Sequence, residues 1–289
     1  MTKILSWNIQ NGLGVDGQRS LARIASVIRA LDMPPVLCLQ EVSRAMPLDA
    51  DVAAPDQVAE LADLFPGYTV VFGPAVDILL PGPDPKGSKA KRAQYGNLVL
   101  SRLPVLSVFT HALPQPPRAG RRQMPRQAIE VTVACEDGPL RVMSTHLEYH
   151  SKGQRLAQIA ALKAIHQEVD ALAGAPPEYK NSGPYQRIER AGRAILCGDF
   201  NCLPGSDEMA LILEAAVPSS RLFDAWAELY PDVTHQPTCG IFDRVQWDEG
   251  PHCRDYFFVS NALRDAVVSL DVDSKTSASD HQPIVLTLR

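Results

Sequence analysis

Five times along this chain a short apolar run meets a side chain able to bind ions or move protons. Ile4–Trp7 leads to Asn8, Val36–Leu39 to Glu41, Leu140–Ser144 to His146, and Ala194–Cys197 to Asp199 and Asn201, while Asp280 and His281 precede Ile284–Leu288. A continuous apolar run of about four to eight residues is consistent with a strand buried on both faces. Sheets of such strands put their sites at one edge, so the five termini predict a single cleft.

The segments between the runs supply the other elements. From the N-cap Ser20, Leu21, Ile24, Ala25, Ile28 and Leu31 recur at helical spacing until Pro34-Pro35 stops the helix. A long amphipathic helix is expected over Gln154–Ala173, with Leu156, Ile159, Ala160, Leu162, Ile165 and Val169 facing the core. Shorter helices are expected over Pro55–Leu64, Glu208–Leu213 and Phe223–Leu229, and further strands over Tyr68–Phe72, Asn97–Ser101, Val105–Phe109, Gln127–Ala134, Arg254–Val259 and Ala266–Val272. Three connections are long enough to choose a substrate: Pro74–Gln94 with Lys86, Lys89, Lys91 and Arg92; Pro114–Arg126 with Arg118, Arg121, Arg122 and Arg126; and Ala175–Ile188. The first two read as solvated surface or as phosphate contacts.

Composition removes several classes. A net charge of −5 gives no global basic field of the kind that marks nucleic-acid binding, although local phosphate contacts stay open. The residues after Met1 turn polar too soon for a signal-peptide core and no run reaches membrane-spanning length, so the expected location is cytoplasmic, without a membrane anchor. The six cysteines lack tight paired spacing and read as free thiols. Gly12–Gly17 matches G-x-G-x-x-G, but Asn8–Asn11 separate it from the strand and Gln18-Arg19 from the helix, so it reads as a turn.

On an extended backbone Asp199 and Asn201 would face one bound group while Phe200 packs the other way, although both are also ordinary turn formers. The assembled polar set is oxygen-rich with histidines to spare. It suits a hard cation, Mg²⁺ or Mn²⁺, better than zinc, and beside such a cation two histidines provide what phosphate-ester hydrolysis needs.

The ordered set Ser6-Trp7-Asn8-Ile9-Gln10, Leu39-Gln40-Glu41, Gly96-Asn97-Leu98-Val99-Leu100-Ser101, Ser144-Thr145-His146-Leu147, Gly198-Asp199-Phe200-Asn201, Asp255-Tyr256 and Ser279-Asp280-His281 resembles the endonuclease/exonuclease/phosphatase superfamily, which includes deoxyribonuclease I and exonuclease III. The resemblance implies an α/β fold, a four-layer α-β-β-α sandwich of two mixed sheets, as one domain over residues 1–289. It makes Glu41 the principal metal ligand with Asn8 and Asp280 completing or flanking the site. It has Asp199 orient or deprotonate water, Asn201 hold a phosphate oxygen, His146 donate to the transition state, and His281, steered by Asp255, act as the other acid/base or electrostatic partner. An imidazole needs such a carboxylate to fix its tautomer. Asn97 falls near the site, and Arg126 is the candidate substrate contact from the second basic loop. The implied activity is metal-dependent hydrolysis of phosphodiesters, nucleic acid among them, by a monomer. The alternative is a phosphomonoesterase acting on a small or lipid phosphate. A non-catalytic binding protein is disfavoured, since nothing else requires unpaired carboxylates at a cleft.

Overall fold

The structure, a computed structural model, describes residues 1–47, 55–80, 92–215 and 217–289. Its strands are β1 Thr2–Asn8, β2 Val36–Arg44, β3 Thr69–Leu79, β4 Arg92–Ser101, β5 Val105–Ala112, β6 Gln127–Cys135, β7 Gly138–His146, β8 Ala194–Asp199, β9 Leu222–Asp224, β10 Asp255–Ser260, β11 Val267–Val272 and β12 Ile284–Leu288. Its α-helices are α1 Leu21–Ala30, α2 Gln57–Leu64, α3 Lys152–Gly174, α4 Asp207–Leu213 and α5 Ala225–Leu229. The strands form two six-stranded sheets, ordered β11-β12-β1-β2-β4-β3 and β5-β6-β7-β8-β10-β9. Each is mixed, with one parallel pair at its centre: β1 with β2, connected through α1, and β7 with β8, connected through α3.

Alternation along the strands divides the apolar residues among three cores. Ile4, Val36, Cys38 and Val99 of the first sheet pack against Ile129, Val142, Ile195 and Phe257 of the second. Leu5, Trp7, Leu37 and Leu39 turn outward to meet Ile24 and Ile28 of α1, and Met143, Leu196 and Phe258 turn outward to meet Ile159 and Leu162 of α3 and Ile212 of α4. The result is the four layers expected, two sheets face to face with helices outside. All six cysteines are free.

The structure changes several local expectations. β3 runs on through Pro74 to Leu79 and β4 begins at Arg92, so the ends of the expected first loop are sheet. Lys86, Lys89 and Lys91 lie outside the described residues. Phe223 belongs to β9 and only Ala225 opens the helix, because Asp224 accepts from the Trp226 N–H as its cap. Ala160 is exposed rather than core-facing, whereas the polar Gln154, Gln158 and His166 are buried on the inner side of α3.

His166 belongs to a buried ionic cluster between α3 and the second sheet. Glu130 of β6 accepts from Arg190 at 2.8 Å, lies 3.1 Å from His111 Nε2, and has Arg141 of β7 at 3.5 Å; Arg141 Nη2 in turn donates to His166 Nδ1 at 2.7 Å. Burial alone would raise the Glu130 carboxyl, but His111, Arg190 and Arg141 hold it down to about 2. Burial beside Arg141 pushes His166 down to about 4. Arg190 also donates to Glu168 at 2.9 Å, so two guanidiniums meet two carboxylates, the matching that buried charge requires.

Candidate active site

The C-terminal ends of the two parallel pairs meet at one edge of the sandwich. Asn8 stands beside Gln40 there, and His146 beside Asp199. The β7–β8 approach depends on Gly198, whose φ is +137°; a Cβ at that position would lie 1.9 Å from the Thr145 carbonyl oxygen. The first pair carries a different device. β2 does not end at Glu41 as expected but continues to Arg44, with a register shift between Leu39 and Val42 and with Glu41 at φ +60°. A non-glycine residue held in that conformation costs about 1–3 kcal/mol. The bulge turns Glu41, partly exposed, into the cleft between the sheets.

Asn8 Nδ2 donates to Glu41 Oε1 and to Asp199 Oδ2, both at 3.1 Å, and thereby ties the two sheets' carboxylates together. Its Oδ1 accepts the Gln10 N–H. Asn8 thus meets the acids as a hydrogen-bond donor. Asp280 is buried, accepting from Trp247 Nε1 at 3.1 Å and from Ser279 Oγ at 3.2 Å. Burial raises the Glu41 carboxyl, and the nearby Asp280 raises it further. Asp199 is raised by burial and by Asp255 despite His281, and Asp280 is raised by burial.

The two imidazoles differ in charge. His281 Nδ1 donates to Asp255 Oδ2 at 2.8 Å, while its Nε2 lies 3.7 Å from Asp199 Oδ2. Burial would lower His281, but Asp255, Asp199 and Asp280 carry it well above the usual histidine range. His146 is driven well below that range by burial, with Arg126 adding to the effect, and its Nε2 lies 3.4 Å from Asp199 Oδ2. Asp199, and not Glu148, is the carboxylate beside His146. Glu148 instead accepts from Arg126 Nε at 3.4 Å and from the His150 N–H.

Asn201 is held differently from the extended-strand expectation. With φ at +51° its N–H donates to Asp199 Oδ1, and its Nδ2 donates to the Leu147 carbonyl at 3.0 Å. It still lines the cleft, about 280 Å³ in volume, together with Glu41, Arg126, His146, Asp199 and His281. Asn97 does not line it; its Nδ2 donates to the Gln127 carbonyl and joins β4 to β6. From the second basic loop only Met124 and Arg126 reach the cleft, and Arg118, Arg121 and Arg122 are exposed outside it. Ala175–Ile188 follows the far end of α3 and lines a separate cavity with Leu172 and Val169, so it is not a wall of this cleft.

Three contributors escaped the sequence. The Tyr95 hydroxyl lies against Glu41, and burial and that charge raise it well above the usual tyrosine range. Thr238 Oγ1 donates to Asp255 Oδ2 at 2.6 Å, fixing the carboxylate that orients His281. Trp247 is buried edge-on to the His281 ring at 5.6 Å. Tyr95 stands directly before the Gly96-Asn97 motif, a position that could have drawn notice; Thr238 and Trp247 sit in irregular chain with no local signal. Finally, Trp7 Nε1 donates to the His281 carbonyl at 2.9 Å and Ser279 Oγ to the Asn8 carbonyl at 2.8 Å, fastening the end of β1 to the loop before β12.

The donor set fits a hard cation. Glu41, Asp199 and Asp280 are oxygen donors whose affinity for protons is raised by burial, with mutual charge adding for Glu41 and Asp199, so a divalent ion would relieve what protons otherwise must. Among the described residues, ligand atoms of Asp199, Asp255 and His281 also converge within 4.8 Å. Asp255 and His281 are already bonded to each other, and a cationic imidazole repels a metal.

A family model described as the endonuclease/exonuclease/phosphatase family matches residues 5–281. No curated protein matches the chain in sequence. An endonuclease/exonuclease/phosphatase from Beutenbergia cavernae is similar over 100% of this chain and 71% of its own, at 25% identity and a TM-score of 0.71. A mannosyl-6-phosphatase of Bacteroides thetaiotaomicron is similar over 100% of both chains, at 20% identity and a TM-score of 0.66. A 3′ phosphatase from Neisseria, solved with a product DNA hairpin, is similar over 100% of both chains at 20% identity and a TM-score of 0.61. The likenesses below 25% identity establish the shared fold.

Proposed function

We propose, from the premise that this chain belongs to the endonuclease/exonuclease/phosphatase family of phosphate-ester hydrolases, that it is a divalent-metal-dependent phosphodiesterase using Mg²⁺ or Mn²⁺. The observation that carries the reading is the meeting of Glu41, Asp199, Asp280, the Asp255–His281 pair and His146 at one edge between the sheets.

Glu41 and Asp280 would hold the cation, with Asn8 spacing Glu41 from Asp199. When bound, the ion supplies positive charge against the oxygens of the reacting phosphate. Asp199, with Asn201 N–H on one oxygen and Asn8 on the other, is fixed to orient water and to accept its proton. His281, kept protonated and aligned by Asp255, donates from Nε2 to the charge that develops on phosphate. His146, held low by burial beside Arg126, would serve as an uncharged hydrogen-bonding group there. Arg126, whose Nη1 is buried without a partner, supplies a cationic contact for a phosphate oxygen.

Charge favours the diester. Among the described residues the carboxylates of Glu41, Asp199, Asp255 and Asp280 stand with Arg126 and His281 as cations, and with the ion's two charges the site is about neutral, a better match for a singly charged diester than for a monoester carrying about −1.5 to −2. The monoesterase alternative is motivated by the phosphatases that share the fold. Hydrolysis of bis-p-nitrophenyl phosphate and p-nitrophenyl phosphate, with Mg²⁺, Mn²⁺ or EDTA, on wild type and Asp199→Ala decides between them. The expected result is metal-dependent cleavage of the diester, lost in the variant; preference for the monoester makes the chain a phosphatase.

A further inference from the structure

The lip of the cleft is aromatic in a way that the hydrolytic groups do not require. Tyr149 and His150 lie just beyond β7, after Leu147 and Glu148; both are exposed, and Tyr149 lines the cleft at 39% exposure. Their rings meet edge to face at 4.9 Å, and Tyr149 meets Trp247 in the same manner at 5.9 Å. The Arg254 guanidinium lies 5.6 Å from the Tyr149 ring centre and 4.7 Å from that of Trp247.

The backbone beneath this wall is fixed. Arg155 Nη1 donates to the carbonyls of Glu148 and Tyr149, and Gln158 Oε1 accepts the Glu148 N–H. Tyr149 thus presents a positioned ring to solvent beside Arg126, His146 and His281, without being needed to fill a core. A phosphate seated against those three residues would bring whatever it esterifies onto this wall. A cleft of about 280 Å³ is small for a ligand site.

Resting on the phosphodiesterase reading, we propose that Tyr149, with His150 beside it, is a specificity-determining platform that stacks a nucleobase of the substrate, making the preferred substrate class base-bearing phosphodiesters of nucleotides rather than sugar or lipid phosphates. A flat ring on an aromatic face gains from stacking whatever its sequence identity, so the platform selects nucleotides without selecting a sequence.

The test uses thymidylyl-thymidine and an analogue with the same sugar–phosphate backbone but abasic residues on both sides, each hydrolysed by wild type, Tyr149→Leu and Tyr149→Phe. Base stacking of this kind is worth about 1–3 kcal/mol, so Tyr149→Leu is expected to lower kcat/KM for the dinucleotide by about tenfold, chiefly through KM. The same variant should leave the abasic analogue within about twofold, and Tyr149→Phe should restore the dinucleotide. Equal loss on both substrates, or loss on neither, overturns the platform while the hydrolase reading stands. Absence of metal-dependent turnover of either by wild type overturns both.

Discussion

Two of the molecule's buried charge clusters treat charge oppositely. Beneath α3, Glu130 is surrounded by Arg190, Arg141 and His111 and is held down to about 2. At the cleft, Glu41, Asp199 and Asp280 are all raised, and among the described residues it is Asn8, not a lysine or arginine, that bridges two of them. Matched charge binds layers together, whereas surplus charge is stored for something that arrives. Chemistry, not the mere burial of titratable groups, separates the two clusters.

The sharpest break in the comparison comes from His281→Ala, which should cut turnover by roughly 10²–10⁴-fold with little change in the melting transition. Wild-type-like turnover would remove His281 from the chemistry. Glu130→Gln should do the reverse: it leaves the Arg141 and Arg190 charges without their carboxylate and should lower unfolding stability by about 3–5 kcal/mol, with kcat unchanged well below the transition. Denaturant unfolding read beside activity checks both halves.

Acid sharpens the contrast further. His166 is near 4 when folded against an unfolded value near 6.5, so the unfolded chain binds the extra proton between those values and stability falls as pH drops through that window. The loss is about 3 kcal/mol, and His166→Gln should flatten that limb of the stability curve. Glu130 adds a second, lower limb, with its contribution present above about 4.5 and lost as pH falls toward 2. The smallest expected effect is at Glu41→Gln. Removing one of the raised carboxyls should stabilise the metal-free protein slightly while shifting the Mg²⁺ concentration for half-maximal turnover upward by about tenfold, an effect of about 1.4 kcal/mol. A Mg²⁺ titration that superimposes on wild type would strike Glu41 from the ligand set.

Most of the sandwich was legible because buried strands are written as apolar runs, and the order of the polar termini identified the edge where they gather. The β2 bulge was not legible. Val36–Leu39 reads as a strand that stops, since no residue type between Gln40 and Arg44 marks a left-handed turn, and Glu41 adopts one only because both neighbouring segments are pinned to β4. The ionic cluster was missed for a related reason. Glu130 and Arg141 are single charges inside strands, and His166 one polar residue on an amphipathic helix, so partners 25 and 60 residues apart leave no local pattern. Ala160 was misplaced because small side chains fit either face of a helix.

The clasp between Trp7 and the His281 carbonyl spans 274 residues. During synthesis the ribosome delivers β1 long before the loop that completes the cleft, and β12 must insert between β1 and β11 before the first sheet is whole. High contact order of this kind slows folding. It also means that a growing chain has no assembled hydrolytic centre until the loop carrying His281 and the strand β12 after it have left the ribosome.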